Sequence, residues 1–190
     1  YLLWRNPENL KTRSILTLGF NPEDSLLLDD DFSSKAERLK NPGRVLFDTL
    51  SRPEFGPIED WFLDGQVIET EVAGKRVKVV GLVELGPSFG ADGNMITSRE
   101  TFLQLMPSNP RGSIEIGLIK LKNDSDPRLV SMILSNALPN DVRVLTKNEF
   151  IDFEKNYWKD STAIGFIFSL GAVMGFVVGC VVVYQILYSD

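Results

Sequence analysis

The side chains that could do chemistry in this 190-residue chain are few in kind. It has no histidine, and its one cysteine, Cys180, lies inside an apolar run, so an internal disulfide and a Cys/His zinc site are both excluded. Catalysis needs a nucleophile with its base, a carboxylate pair or a metal, and scattered Ser, Lys, Asp and Glu are what remain. Glu54, Glu59, Asp60 and Asp64 stand close enough in sequence to resemble the carboxylates of a glycosidase, but nothing in their spacing sets a separation, and such acids ordinarily sit on the surface. Asp29, Asp30 and Asp31 are immediate neighbours, without the spaced oxygen ligands of a calcium loop, and read as a solvated loop. The stretch GPSFGADGN, residues 86–94, has three glycines but no Gly-Lys-Ser/Thr ending to place a lysine on phosphate, so it reads as a turn-rich loop. No catalytic, cofactor-binding or metal-binding residue is assigned. The chain is expected not to be an enzyme and to need no cofactor.

The formal charge of −6 comes from interleaved acids and bases, with no basic footprint for nucleic acid. About 160 residues precede the apolar run, enough for one ordinary domain or two small subdomains with cores of their own. The chain opens on YLLWRNP with neither an initiator methionine nor a signal peptide, and its start is expected to be cut.

The stretch that organises everything else is the last. No charged residue occurs from Ser161 to Ser189, and as a helix the run from Ala163 to Leu187 would extend roughly 38 Å, more than the ~30 Å hydrocarbon core of a bilayer. A single segment satisfies its own backbone in lipid only as a helix, so a transmembrane helix is predicted over 162–188. Tyr157 and Trp158 precede the run and Tyr184 and Tyr188 close it, placed as two interfacial belts. A central helix of a soluble protein is the competing reading, but a charge-free helix of this length would need protein on every side. Gly171, Gly175 and Gly179 recur every fourth residue, which stacks them on one stripe where another helix could approach closely.

Upstream, YLLWRNP and SILTLGF read as strands, with a turn at Asn21-Pro22. Ser33 or Ser34 caps a short helix through Leu39, and RVLFDT follows as a strand. SRPEFGPIEDWF, with two prolines and a glycine, is expected to be an ordered connection without regular structure. QVIETEV and KRVKVVGLVEL alternate around Ala73-Gly74 as a hairpin, with Val77, Val79 and Leu82 toward one core and Arg76 and Lys78 toward water. Ser98 caps a short helix that carries Phe102, Leu103 and Leu105 inward. IEIGLIKLK, the Asp126-capped helix DPRLVSMILSNAL and DVRVL make a βαβ-sized unit.

Thr146 and Glu149 form a capping box. No proline or glycine interrupts Lys147 to Ala163, so one unbroken helix is expected to leave the domain and enter the membrane, roughly 60 Å in all. A break near Asp160-Ser161 is the alternative. The expected organisation is α+β: a domain of mixed strands and short helices over 1–146, a stalk helix over 147–161 and the transmembrane helix over 162–188.

Five stretches carry a resemblance: GFNP (19–22), VLFDTLSRPEFGPI (45–58), FGADGNMITS (89–98), LPNDVRVLTKNEFIDFEKNYW (138–158) and GFIFSLGAVMGFVVGCVVVYQILYSD (165–190). They closely resemble the DevC-type permease subunits of cyanobacterial ABC exporters, within the broader MacB/FtsX-like permeases. The resemblance implies a MacB-like periplasmic domain between a first and a second transmembrane helix, the second being the one seen here. It also implies an inner-membrane location, a homodimer of permease, a separate ABC ATPase subunit, a periplasmic adaptor (membrane fusion) protein and an outer-membrane channel. The implied activity is export by mechanotransmission, with envelope glycolipid as cargo. The alternative from another class is a single-span sensor or receptor with an extracytoplasmic ligand-binding domain, and a membrane-anchored hydrolase is a third.

Overall fold

The computed structural model describes residues 1–23, 30–88, 90–108, 113–161 and 163–188. They divide into two units, Tyr1–Lys120 and Leu121–Asp190.

The first unit contains six strands, β1 (Leu2–Arg5), β2 (Thr12–Phe20), β3 (Arg44–Asp48), β4 (Glu69–Val72), β5 (Lys75–Val83) and β6 (Asn94–Ser98), with three short helices, α1 (Asp30–Glu37), α2 (Ile58–Leu63) and α3 (Arg99–Leu105). The strands close into a barrel in the order β1-β2-β6-β3-β5-β4. Neighbours pair antiparallel except β2 with β6 and β3 with β5, and Trp4 opposite Val72 completes the ring. Closure leaves no unpaired sheet edge in the barrel.

The expected hairpin is β4–β5. Ala73 and Gly74 both take positive φ, 50° and 73°, the conformation that lets a two-residue turn follow the strand twist. Val77 and Val79 are buried with Trp4, Ile15, Val45, Phe47 and Phe55 in the main core, and Leu82 packs against the same cluster. Strict alternation would put Leu82 on the opposite face from Val79. The register against β3 steps from Val45↔Val79 to Leu46↔Gly81, so Val80 is the extra residue of a bulge, and the bulge returns Leu82 to the core. Val80 and Val83 join Leu39, Leu46, Ile96, Phe20 and Phe32 in a second cluster.

Several expectations are corrected in this unit. Asn94–Ser98, read as loop and helix cap, is strand β6, buried at all five positions. Asp30 is already helical in α1, so Ser33 and Ser34 lie within the helix and do not start it; Asp29 falls outside the described residues. SRPEFGPIEDWF is more regular than its prolines imply: a 3-10 turn over Pro53–Phe55 leads into α2, because prolines at the start of a turn or just ahead of a helix cost no backbone donor. Ser98 does cap α3, its Oγ accepting from the Thr101 N–H at 3.2 Å.

The βαβ unit does not form. α4 (Pro127–Ala137) starts at its Asp126 cap, the Asp126 carboxylate accepting from the Arg128 N–H at 2.9 Å. Its flanks, residues 114–122 and 141–145, adopt no strand. Alternation marks a face, whereas a strand exists only where a ladder partner takes up its N–H and C=O groups. Ile114 and Ile116 remain 75% and 68% exposed.

The unbroken stalk is also corrected. α5 (Lys147–Asp160) ends at Ser161, with φ −107° and ψ −2°, and α6 (Ala163–Tyr188) begins afresh. Serine and threonine hydroxyls compete for the backbone and favour helix ends; the carboxylate of Asp160 at the C-terminal end is a small cost of the break and not its cause.

Candidate functional site

α6 is long and apolar enough to span a membrane: the most apolar stretch of Gly165–Tyr188 has a mean hydropathy of 2.6, and none of it is buried by protein. Large side chains are exposed around its whole circumference, among them Phe166, Phe168, Val173, Phe176 and Leu187. An apolar surface on all sides matches lipid better than water.

Gly171, Gly175 and Gly179 lie in this helix, and a methyl group added at any of them would meet nothing within 4 Å. The stripe is therefore open along its length. Tyr184 and Tyr188 stack one turn apart near the C-terminal end, ring centroids 5.6 Å apart. Tyr157 and Trp158 meet edge to face at 5.9 Å, two residues before α5 ends.

The capping box forms as its sequence requires. The Glu149 carboxylate accepts from the Thr146 N–H and hydroxyl, both at 2.8 Å, while Thr146 Oγ1 accepts from the Glu149 N–H at 3.3 Å. The donation from the Thr146 backbone, with that from its hydroxyl, holds the Glu149 carboxyl below its ordinary value of 4.5. A carboxyl that is a stronger acid in the folded chain stabilises it above the ordinary value, and that contribution is lost as the pH falls through 4.5 and below. The protection of the amides at the start of α5, taken relative to their intrinsic exchange at each pH, is accordingly expected to fall on acidification. Thr146→Ala should weaken the helix start by about 1 kcal/mol and remove only the hydroxyl's share of this pH response, because the residue's backbone N–H still donates to Glu149.

The acids considered for catalysis are dispersed. Glu54 Oε1 is 3.3 Å from Arg13 Nη1, Glu59 and Asp60 lie exposed in the first turn of α2, and Asp64 is its exposed C-cap.

A carboxylate that sequence reading passed over does more. Asp48, fully buried at the end of β3, accepts from the N–H groups of Leu50 (3.2 Å), Leu85 (2.9 Å) and Gly86 (3.0 Å) and from Asn94 Nδ2 (2.7 Å). Asn94 also donates to the Gly86 carbonyl at 2.7 Å. Nearby, Asp92 joins β2 to the segment after β3, 2.7 Å from Arg13 Nη2 and 2.9 Å from Arg52 Nε. The Arg13 hydrogen bond, with the Arg52 charge, holds the Asp92 carboxyl below its usual range. The only signal in the sequence was the pairing of a strand-terminal Asp with a Gly-rich loop, which a surface turn would also show.

Comparison with protein-family models, with curated proteins and with solved structures finds no match for this chain.

Proposed function

We propose that this chain is part of the permease subunit of an ABC-type exporter, seated in the inner membrane through α6, with the barrel unit in the periplasm. The observation that carries the reading is α6 itself: apolar on every side, unburied, and marked by an open stripe of three glycines. A lone anchor has little use for a close-packing face, whereas a permease built from several spans, or from two copies, has one. The five motif stretches support the narrower DevC-type and MacB-like reading, and with it the adaptor, the outer-membrane channel and glycolipid as cargo.

The chain supplies no ATPase motif, so the energy is taken to come from a separate subunit. Closure of that subunit on ATP shifts the spans, and α6 passes the shift through its junction with α5 to the periplasmic side. The natural gene product, recovered from membranes in detergent, is expected to co-purify with an ABC ATPase and to carry the ATPase's cargo out when the two are reconstituted together. Recovery with a kinase or another signalling protein, and no transport, would replace this reading with the single-span sensor.

A further inference from the structure

We propose that α5 lies in the plane of the membrane surface, its apolar side set against the boundary between acyl chains and headgroups. This deepens the reading above and rests on α6 being in the bilayer.

α5 carries Phe150, Ile151, Phe153, Tyr157 and Trp158 at spacings that gather them on one side, while Asn148, Asp152, Asn156 and Lys159 fall on the other. Phe150, Ile151, Phe153 and Tyr157 are exposed, Arg143 covering only the face of the Phe153 ring at 4.7 Å. A helix of 14 residues is close to the shortest that holds in water unaided, so this side needs a cover.

Chain distance selects lipid as that cover. Trp158 is five residues before Ala163, about 8 Å of helix, within the interfacial layer. Were α5 upright, Phe150 would stand thirteen residues above Ala163, roughly 20 Å out and in water. Phe150, Ile151 and Phe153 reach lipid only if the helix lies down.

The junction allows it to. The helix stops at Asp160 and restarts at Ala163. A Cβ at Gly165 would overlap the Lys159 carbonyl oxygen and stand 2.6 Å from its carbon, so the last turn of α5 meets the first turn of α6 at a place only glycine permits. In one continuous helix, positions six apart are about 9 Å apart along the axis, and the same methyl would meet no such atom. Gly165 thus favours the bent arrangement over the straight one. The polar side of α5 mixes acids with Lys155 and Lys159, so apolar burial holds the helix to the surface and anionic lipid is not required. Glu154, half-buried and one turn from both Phe150 and Trp158, has a stem long enough to hold its carboxylate at headgroup level in this arrangement.

The test uses the full chain carrying Cys180→Ala, with single nitroxide labels at Ile151→Cys, Asp152→Cys or Val177→Cys, in phosphatidylcholine vesicles. Collisions with oxygen report lipid, and collisions with a nickel chelate report water. Ile151 is expected to favour oxygen several-fold more than Asp152 does, and adding Gly165→Ala should bring Ile151 down to the Asp152 level as the helix straightens. Free collision of Ile151 with nickel, or shielding from both reagents by a protein partner, overturns the proposal while Val177 still reports lipid. An Ile151 signal unchanged by Gly165→Ala overturns the part given to that glycine. A Val177 label in water would instead bring down the membrane reading beneath it.

Discussion

Gly175→Leu is expected to cut transport by about tenfold or more, the effect of losing roughly 1.4 kcal/mol of helix packing, with no change in the unfolding midpoint of the barrel. The isolated chain has room for the new side chain, since a methyl at Gly175 meets nothing within 4 Å. The substitution therefore puts no strain on α6 itself. It acts only on whatever helix comes against the stripe, where the glycines let two backbones approach and a leucine forces them apart. Gly175→Ala should fall between leucine and wild type. The measurement is export by reconstituted vesicles alongside urea unfolding of the same preparation. Full transport in Gly175→Leu would remove the packing role, and a shifted unfolding midpoint would mean that the helix and barrel are coupled in a way the free stripe does not account for.

Legibility of the fold followed the physical reach of each signal. The hairpin around Ala73-Gly74 could be read because one face is buried and one is wet, so the alternation is written into the residue types. β6 could not, because Asn94–Ser98 is buried at every position and so shows no alternation. Three of its residues, Asn94, Thr97 and Ser98, are polar, and Asn94 and Ser98 also look like loop and cap. Residues 114–122 failed in the opposite direction, showing alternation without the pairing that makes a strand. Val80 is a different case: the one signal in KRVKVVGLVEL is Gly81, which fits a bulge or a close approach alike, yet Leu82 packs against the main core only because a bulge is there. α6 and the capping box were legible in full, since length, apolarity and a local four-residue motif need no distant partner. The break after Asp160 follows from the weak preference of Ser and Thr for helix ends, a signal much fainter than a Pro or a Gly.

The second large effect is expected at Asp48, and it separates the barrel's stability from the membrane helix. Asp48→Ala deletes one carboxylate and leaves the part-buried N–H groups of Leu50, Leu85 and Gly86, and one N–H of the buried Asn94 amide, without their acceptor. Each orphaned buried donor costs about 1–3 kcal/mol, so a loss of about 3 kcal/mol or more is expected even if water reaches some of them. For a domain of this size that lowers the melting temperature by more than about 10 °C. Asp48→Asn is the sharper probe, because it keeps the shape and turns one acceptor into a donor facing donors already there. It should recover less than half of the loss. The fluorescence of Trp4, wholly buried with its indole N–H donating to the Phe55 carbonyl at 3.0 Å, follows the unfolding. The effect should also reach beyond the deleted bonds. The backbone that Asp48 and Asn94 hold runs into Asp92, which pairs with Arg13 on β2 and with Arg52, and into Gly93, whose carbonyl accepts from the Leu16 N–H at 3.0 Å. Releasing the 85–94 segment therefore loosens the β2–β6 seam, one of the two parallel pairings that close the barrel. Amide exchange along β2 should rise in Asp48→Ala before it rises along β4; equal protection on both strands would mean that the carboxylate stabilises its own loop and nothing further.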